Sequence, residues 1–119
     1  MLKWLRESKW LRWDKGRQLT GYDKMLLAKM EWPISFDLYI LKYPKGSSIS
    51  RHTDRVWFGE HHRINVVLKN AKEGGEFVCE KAIINTPRIK YFRPDIHSHL
   101  VTEVKEGSRY VLSFGWIWL

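Results

Sequence analysis

From residue 36 onward the chain alternates short apolar runs with compact turn signals. Phe36-Asp37-Leu38-Tyr39-Ile40-Leu41-Lys42-Tyr43 is rich in β-branched and aromatic residues, is bounded by Pro44 and Gly46, and reads as a strand. Ile64 to Leu68, Glu76 to Cys79, Ile83-Ile84, Arg88 to Phe92, His99 to Val104 and Ser108 to Trp118 continue the series. Gly46-Ser47-Ser48, Gly74-Gly75, Asn85-Thr86-Pro87, Pro94-Asp95 and Glu106-Gly107 separate them as turns. Many short strands at this spacing predict a sandwich or closed barrel, not an alternating α/β sheet.

The first 35 residues have a different texture. Lys3, Arg6, Lys9 and Arg12 recur at every third position among Leu2, Leu5, Leu11, Trp4, Trp10 and Trp13. A three-residue step drifts around a 3.6-residue helix, so Met1 to Trp13 is expected to be a short helix or an irregular arm. Gly16 and Gly21 bracket a short strand over Arg17 to Thr20. Met25, Leu26, Ala28 and Met30 around Lys24 and Lys29 predict a helix from Tyr22 to Met30, with Asp23 as its N-cap and Trp32-Pro33 as its stop. With 119 residues, the chain fits one domain: a helical or irregular support segment over 1–35 and a β core over 36–119.

Composition narrows the partners. Lysine and arginine outnumber aspartate and glutamate 21 to 13, a net charge of +8. That balance favours an acidic or anionic partner such as a peptide, an amino acid or a nucleic acid, and it also serves solubility. Cys79 is the sole cysteine, which excludes an intrachain disulfide and a Cys-rich zinc site; in Glu76-Phe77-Val78-Cys79 it reads as a packing residue. The N-terminal residues do not form the apolar block of a signal peptide, and no apolar run approaches the roughly 20 residues of a membrane span. A soluble, cytoplasmic protein with no membrane partner is expected.

The chemistry sits in His52-Thr53-Asp54. On an extended chain, positions i and i+2 face the same side, so this triplet delivers an imidazole and a carboxylate to one point. A third ligand must come from elsewhere, and His97 and His99 offer it. Two histidines and one carboxylate on one face of an octahedron leave open positions that suit non-haem Fe(II). His61-His62, following Gly59-Glu60, read as a solvated turn with a possible substrate contact at a barrel mouth.

The stretch from His99 to Ser113 is a strand, a glycine turn at Gly107, and a strand that opens with Arg109, ten residues after His99. It resembles the C-terminal signature of the 2-oxoglutarate and Fe(II)-dependent oxygenases of the prolyl-hydroxylase-like branch. Upstream, Asp37 to Asp54 is similar to that family's strand, Tyr-Pro-x-Gly turn and metal-binding triplet. Arg63 to Leu68, Gly74-Gly75-Glu76-Phe77 and Tyr91-Phe92-Arg93-Pro94 match its middle strands and its Gly-Gly turn, so the likeness runs from about Phe36 to Trp116.

The resemblance implies a double-stranded β-helix, a jelly-roll or cupin-like barrel. It implies Fe(II) held by His52, Asp54 and His99, with 2-oxoglutarate and O2 as co-substrates and succinate and CO2 as products. The spacing to Arg109 selects His99 over His97. Arg109 would pair with the distal carboxylate of 2-oxoglutarate, because a guanidinium fork meets a carboxylate bidentately. Tyr43, nine residues before His52, and Asn65 would add co-substrate contacts, whereas Val111 stands where some members carry a serine. The substrate expected is a polypeptide or amino-acid side chain in preference to a nucleic acid. A cupin-like metal protein without oxygenase activity and a basic nucleic-acid-binding module are the alternatives.

Overall fold

The computed structural model describes residues 13–15, 21–56 and 58–118. Its elements are all strands, numbered in chain order. β1 (Trp13–Lys15), β2 (Asp23–Met30), β3 (Ser35–Tyr43), β12 (Arg109–Trp118), β5 (Glu60–Lys69), β9 (Ile89–Phe92) and β8 (Ile84–Asn85) form one antiparallel sheet in that order. Facing it, β4 (Ile49–His52), β10 (His99–Val101) and β7 (Phe77–Val78) form a second sheet, and β11 (Val104–Glu106) pairs with β6 (Glu73–Gly74). Among the described residues no helix is long and apolar enough to cross a membrane.

The large sheet shows why sequence periodicity located the core. Along β12 the residues Arg109, Val111, Ser113 and Gly115 are buried, while Tyr110, Leu112, Phe114 and Trp116 alternate with them on the other face. Val111 and Val104 are fully enclosed and pack with Tyr22, Tyr43 and Val101 in the space between the sheets. Gly46 N–H donates to the Val104 carbonyl and Val104 N–H to the Ser47 carbonyl, which ties the turn after β3 to β11. Cys79 is buried, as its apolar neighbours predict, and burial pushes its thiol pKa up.

The helix predicted over Tyr22–Met30 is instead strand β2, paired with β3 from Asp23↔Lys42 to Met30↔Phe36. Helix preferences of Met, Leu, Ala and Lys amount to tenths of a kcal/mol per residue, and the β3 ladder outweighs them. A register shift between Leu26 and Ala28 also breaks the two-residue alternation, which hides the strand from a periodicity reading. Of the helix or arm expected over Met1–Trp13, Trp13 instead opens strand β1, while residues 1–12 and the short strand expected over Arg17–Thr20 lie outside the described residues.

A second correction concerns His61-His62. They do not lie in a solvated turn: β5 begins at Glu60, directly after Gly59 at φ 78°, and pairs with the full length of β12 through Trp118↔Glu60. Successive strand residues point to opposite faces. His61 therefore lines the space between the sheets, while His62 stacks on Trp116 and hydrogen-bonds the Tyr91 hydroxyl at 2.8 Å on the outer face.

Candidate metal centre and cavity

His52 closes β4 and His99 opens β10, and the two are direct partners across the antiparallel ladder, with ring centroids 4.4 Å apart. Asp54 follows on the loop after β4, where its N–H donates to the Pro94 carbonyl at 2.6 Å. Pro94 sits between Arg93 and Asp95, which form an ion pair at 2.6 Å. The triplet and the distant histidine converge, although Asp54 lies on a loop and not on the expected strand: one ligand atom from each of the three lies within 4.8 Å of the others.

Both imidazoles are oriented by the same local device. His52 Nδ1 lies 2.7 Å from the Ser50 carbonyl and His99 Nδ1 lies 2.8 Å from the His97 carbonyl. A carbonyl can only accept, so each Nδ1 carries a hydrogen, and Nε2, turned towards Asp54, is the nitrogen left to ligate a metal. The Nε2–carboxylate distances are 3.6 Å for His52 and 3.8 Å for His99. Burial first, and the neighbouring His52, push the His99 pKa down and keep it neutral, the form that ligates a metal. Two imidazoles and a carboxylate fit a divalent first-row cation. His97 stands apart, its Nδ1 accepting the Arg93 N–H at 3.1 Å.

The triad opens into a cavity of about 290 Å³ between the sheets, at the lower end of the roughly 300–1,000 Å³ usual for small-molecule sites. Tyr43 lines it, stacked on Tyr22 at 5.2 Å, with burial raising its phenol pKa well above the usual range. Asn65 also lines it, 7 % exposed, with a buried side-chain oxygen that has no hydrogen-bond partner. Arg109 is 3 % exposed and does not form the cavity wall; its guanidinium lies over the Tyr43 ring, 5.3 Å from the centroid. None of the described carboxylates pairs with it, and burial lowers its pKa. Lys90, on β9 beyond β5, has its pKa lowered by burial and then by the Arg109 charge. Val111 is wholly buried and supplies no hydroxyl.

Sequence reasoning missed a second polar group on the cavity wall. Arg63 donates through Nη2 to both Asp37 oxygens at 2.7 and 3.0 Å, and through Nη1 to Ser113 Oγ at 2.7 Å. The guanidinium lies flat across Gly115, where an added Cβ would collide with it. A lone glycine inside a long apolar strand was the readable sign, since such a residue marks the close approach of another group. Gly115→Ala is expected to destabilise the fold by about 1–3 kcal/mol, the usual cost of overpacking, measured by urea unfolding.

His61, next to this group, has its pKa lowered to about 4 from 6.5 by burial, then by the Arg63 charge, against Asp37 and Asp54. The folded state therefore keeps His61 neutral at pH values where the unfolded chain protonates it. Stability is expected to fall as pH drops from 6.5 towards 4, with no further loss from this group below that. His61→Gln should flatten the slope in that window, as measured by unfolding at several pH values; an unchanged slope would assign it to other groups.

Neither a protein-family model nor a curated protein matches the sequence. Solved structures do. KdgF from Halomonas sp. is similar over 89 % of this chain and 87 % of its own, with TM-score 0.60 and 16 % identity. An RmlC-like cupin protein from Desulfovibrio desulfuricans is similar over 80 % and 81 %, with TM-score 0.55 and 22 % identity. A sugar phosphate isomerase of the cupin superfamily from Silicibacter pomeroyi is similar over 81 % and 59 %, with TM-score 0.55 and 16 % identity. These likenesses show the cupin-type jelly-roll fold that the strand pattern and the motif resemblance predict.

Proposed function

We propose that this chain is an Fe(II) and 2-oxoglutarate-dependent dioxygenase. The observation that carries the reading is Arg109: a buried guanidinium with no carboxylate among the described residues, in the same barrel as a His-Asp-His group. A buried charge is costly unless an opposite charge meets it. A dicarboxylate whose one end reaches the metal and whose other end reaches Arg109 would supply that partner.

His52, Asp54 and His99 would hold the ferrous ion. Bound there, iron supplies the one-electron and O2 chemistry that side chains lack. The protein's own part is positional. The Ser50 and His97 carbonyls fix the two imidazoles, and Pro94 fixes Asp54. Arg109 sets a positive end for the co-substrate's distal carboxylate; Tyr43 and Asn65 line its course. Phe77 and Phe92 pack against His99, with ring centroids 6.2 and 5.0 Å away, and keep water from that side of the centre.

The test is anaerobic loading with Fe(II) and 2-oxoglutarate followed by O2, with succinate as the readout. Slow succinate formation without added substrate is expected. Protein that binds neither iron nor the keto acid would end the reading. A cupin-type metal enzyme that does not use O2 is the second reading, favoured by one observation: Arg63, not Arg109, lines the cavity. Metal binding with no response to 2-oxoglutarate would select it.

A further inference from the structure

The proposed chemistry leaves one end of the cavity without a task. Asp37 and Tyr43 are both on β3 and both line the cavity, six residues apart, which is about 20 Å of extended chain. Tyr43 marks the end that carries Arg109. Asp37 marks the other, where it meets Arg63 and His61.

That end offers a specific set of groups. The Asp37 side chain is 28 % exposed and that of Arg63 16 %, so the ion pair remains reachable from the cavity. His61 Nε2 lies 3.4 Å from Arg63 Nη2, which can only donate; Nε2 therefore accepts and Nδ1 carries the hydrogen. His61 Nδ1 is buried and has no hydrogen-bond partner among the described residues. An ion pair serving only as a strut between β3 and β5 gives no reason for an unused N–H donor beside it. Together the wall presents a carboxylate acceptor next to a guanidinium, with the His61 ring packed beside them. Its complement is a group with an ammonium beside a carboxylate.

We propose that the Asp37–Arg63–His61 end is the subsite for the molecule to be oxidised, and that it takes the zwitterionic head of a free α-amino acid. The ammonium meets Asp37 and the carboxylate meets Arg63, beside the His61 ring. Naming this molecule the substrate rests on the oxygenase reading, whereas its binding does not require the metal. The volume supports a free amino acid over a peptide: about 290 Å³ must also hold the co-substrate, and a residue inside a peptide carries neither charge.

Calorimetric titration of the common L-amino acids into the full chain, and into its His52→Ala variant, tests this. At least one amino acid is expected to bind both proteins. N-acetylation or carboxyl amidation of that amino acid should weaken binding by about tenfold or more, the scale of a lost charged hydrogen bond. Asp37→Asn should do the same. The blocked analogues are tested on the unaltered protein, so the result stands even where that variant fails to fold. Amino-acid binding indifferent to blocking would overturn the proposal. So would binding of peptides alone, or succinate formation by a protein that binds no amino acid. Amino-acid binding with the expected blocking pattern but no succinate would uphold the subsite and sink the oxygenase reading instead.

Discussion

His99→Ala is expected to abolish ferrous-ion binding and, with it, succinate formation, while leaving the barrel folded. The side chain is one of three that converge, and its loss leaves two donors that no longer cap one face of a cation. Groups that merely hydrogen-bond a metal-bound histidine are worth about 10- to 100-fold in metal affinity, so loss of a ligand should exceed about 100-fold. His52→Ala should match it, because the two residues are ladder partners with equivalent Nδ1 anchors. His97→Ala should leave affinity within a few-fold, since that ring faces the Arg93 main chain. Anaerobic titration with Fe(II), or with Mn(II) as an air-stable probe, reads all three. Loss of binding in His97→Ala with retention in His99→Ala would reassign the third ligand.

Arg109→Met should act on stability and on co-substrate binding in opposite directions. Methionine keeps most of the apolar stem, gives up the guanidinium's place over Tyr43 and removes a charge that no described carboxylate neutralises. Replacement of a buried, poorly compensated charge by an apolar side chain is commonly neutral or stabilising, by about 1–4 kcal/mol. The ligand-free variant is therefore expected to melt at or above the wild-type temperature. The concentration of 2-oxoglutarate for half-maximal turnover should rise about 100-fold, equivalent to about 2–3 kcal/mol for a buried charged pair lost. Metal affinity should hold. Melting curves with and without 2-oxoglutarate, on protein loaded with Mn(II), separate the effects: the ligand-induced rise should vanish in the variant. A variant less stable than wild type that still shows that rise would remove Arg109 from the co-substrate site.

The parts of this molecule that were legible in its sequence are those where a local rule and the fold agree. His52 closes its strand and Asp54 follows two residues on, held on the loop by the Pro94 carbonyl, so the close spacing of the pair was readable, and the ladder then had only to set His99 opposite His52. β3 and β12 read correctly because their β-branched and aromatic content matches their pairing. β2 did not, because its composition favours a helix and a bulge removes the alternation that would have exposed it. His61 was set aside because Gly59 looked like the middle of a turn instead of the step into a strand whose extent β12 dictates. Asp37, Arg63 and Ser113 were invisible for another reason: they come from three strands, and nothing in any one segment announces that they meet. Gly115 alone left a trace.

Anchoring both imidazoles to main-chain carbonyls has a practical corollary for purified material. Neutral nitrogen donors and one carboxylate, held by backbone and not by a cage matched to one ionic radius, discriminate poorly among first-row cations. Zinc, nickel and cobalt should then compete well with iron, following the ordinary rise in stability along the series. Elemental content after overexpression would accordingly mirror the growth medium and the affinity resin. Preparations handled without stripping and anaerobic reconstitution would carry an inert occupant.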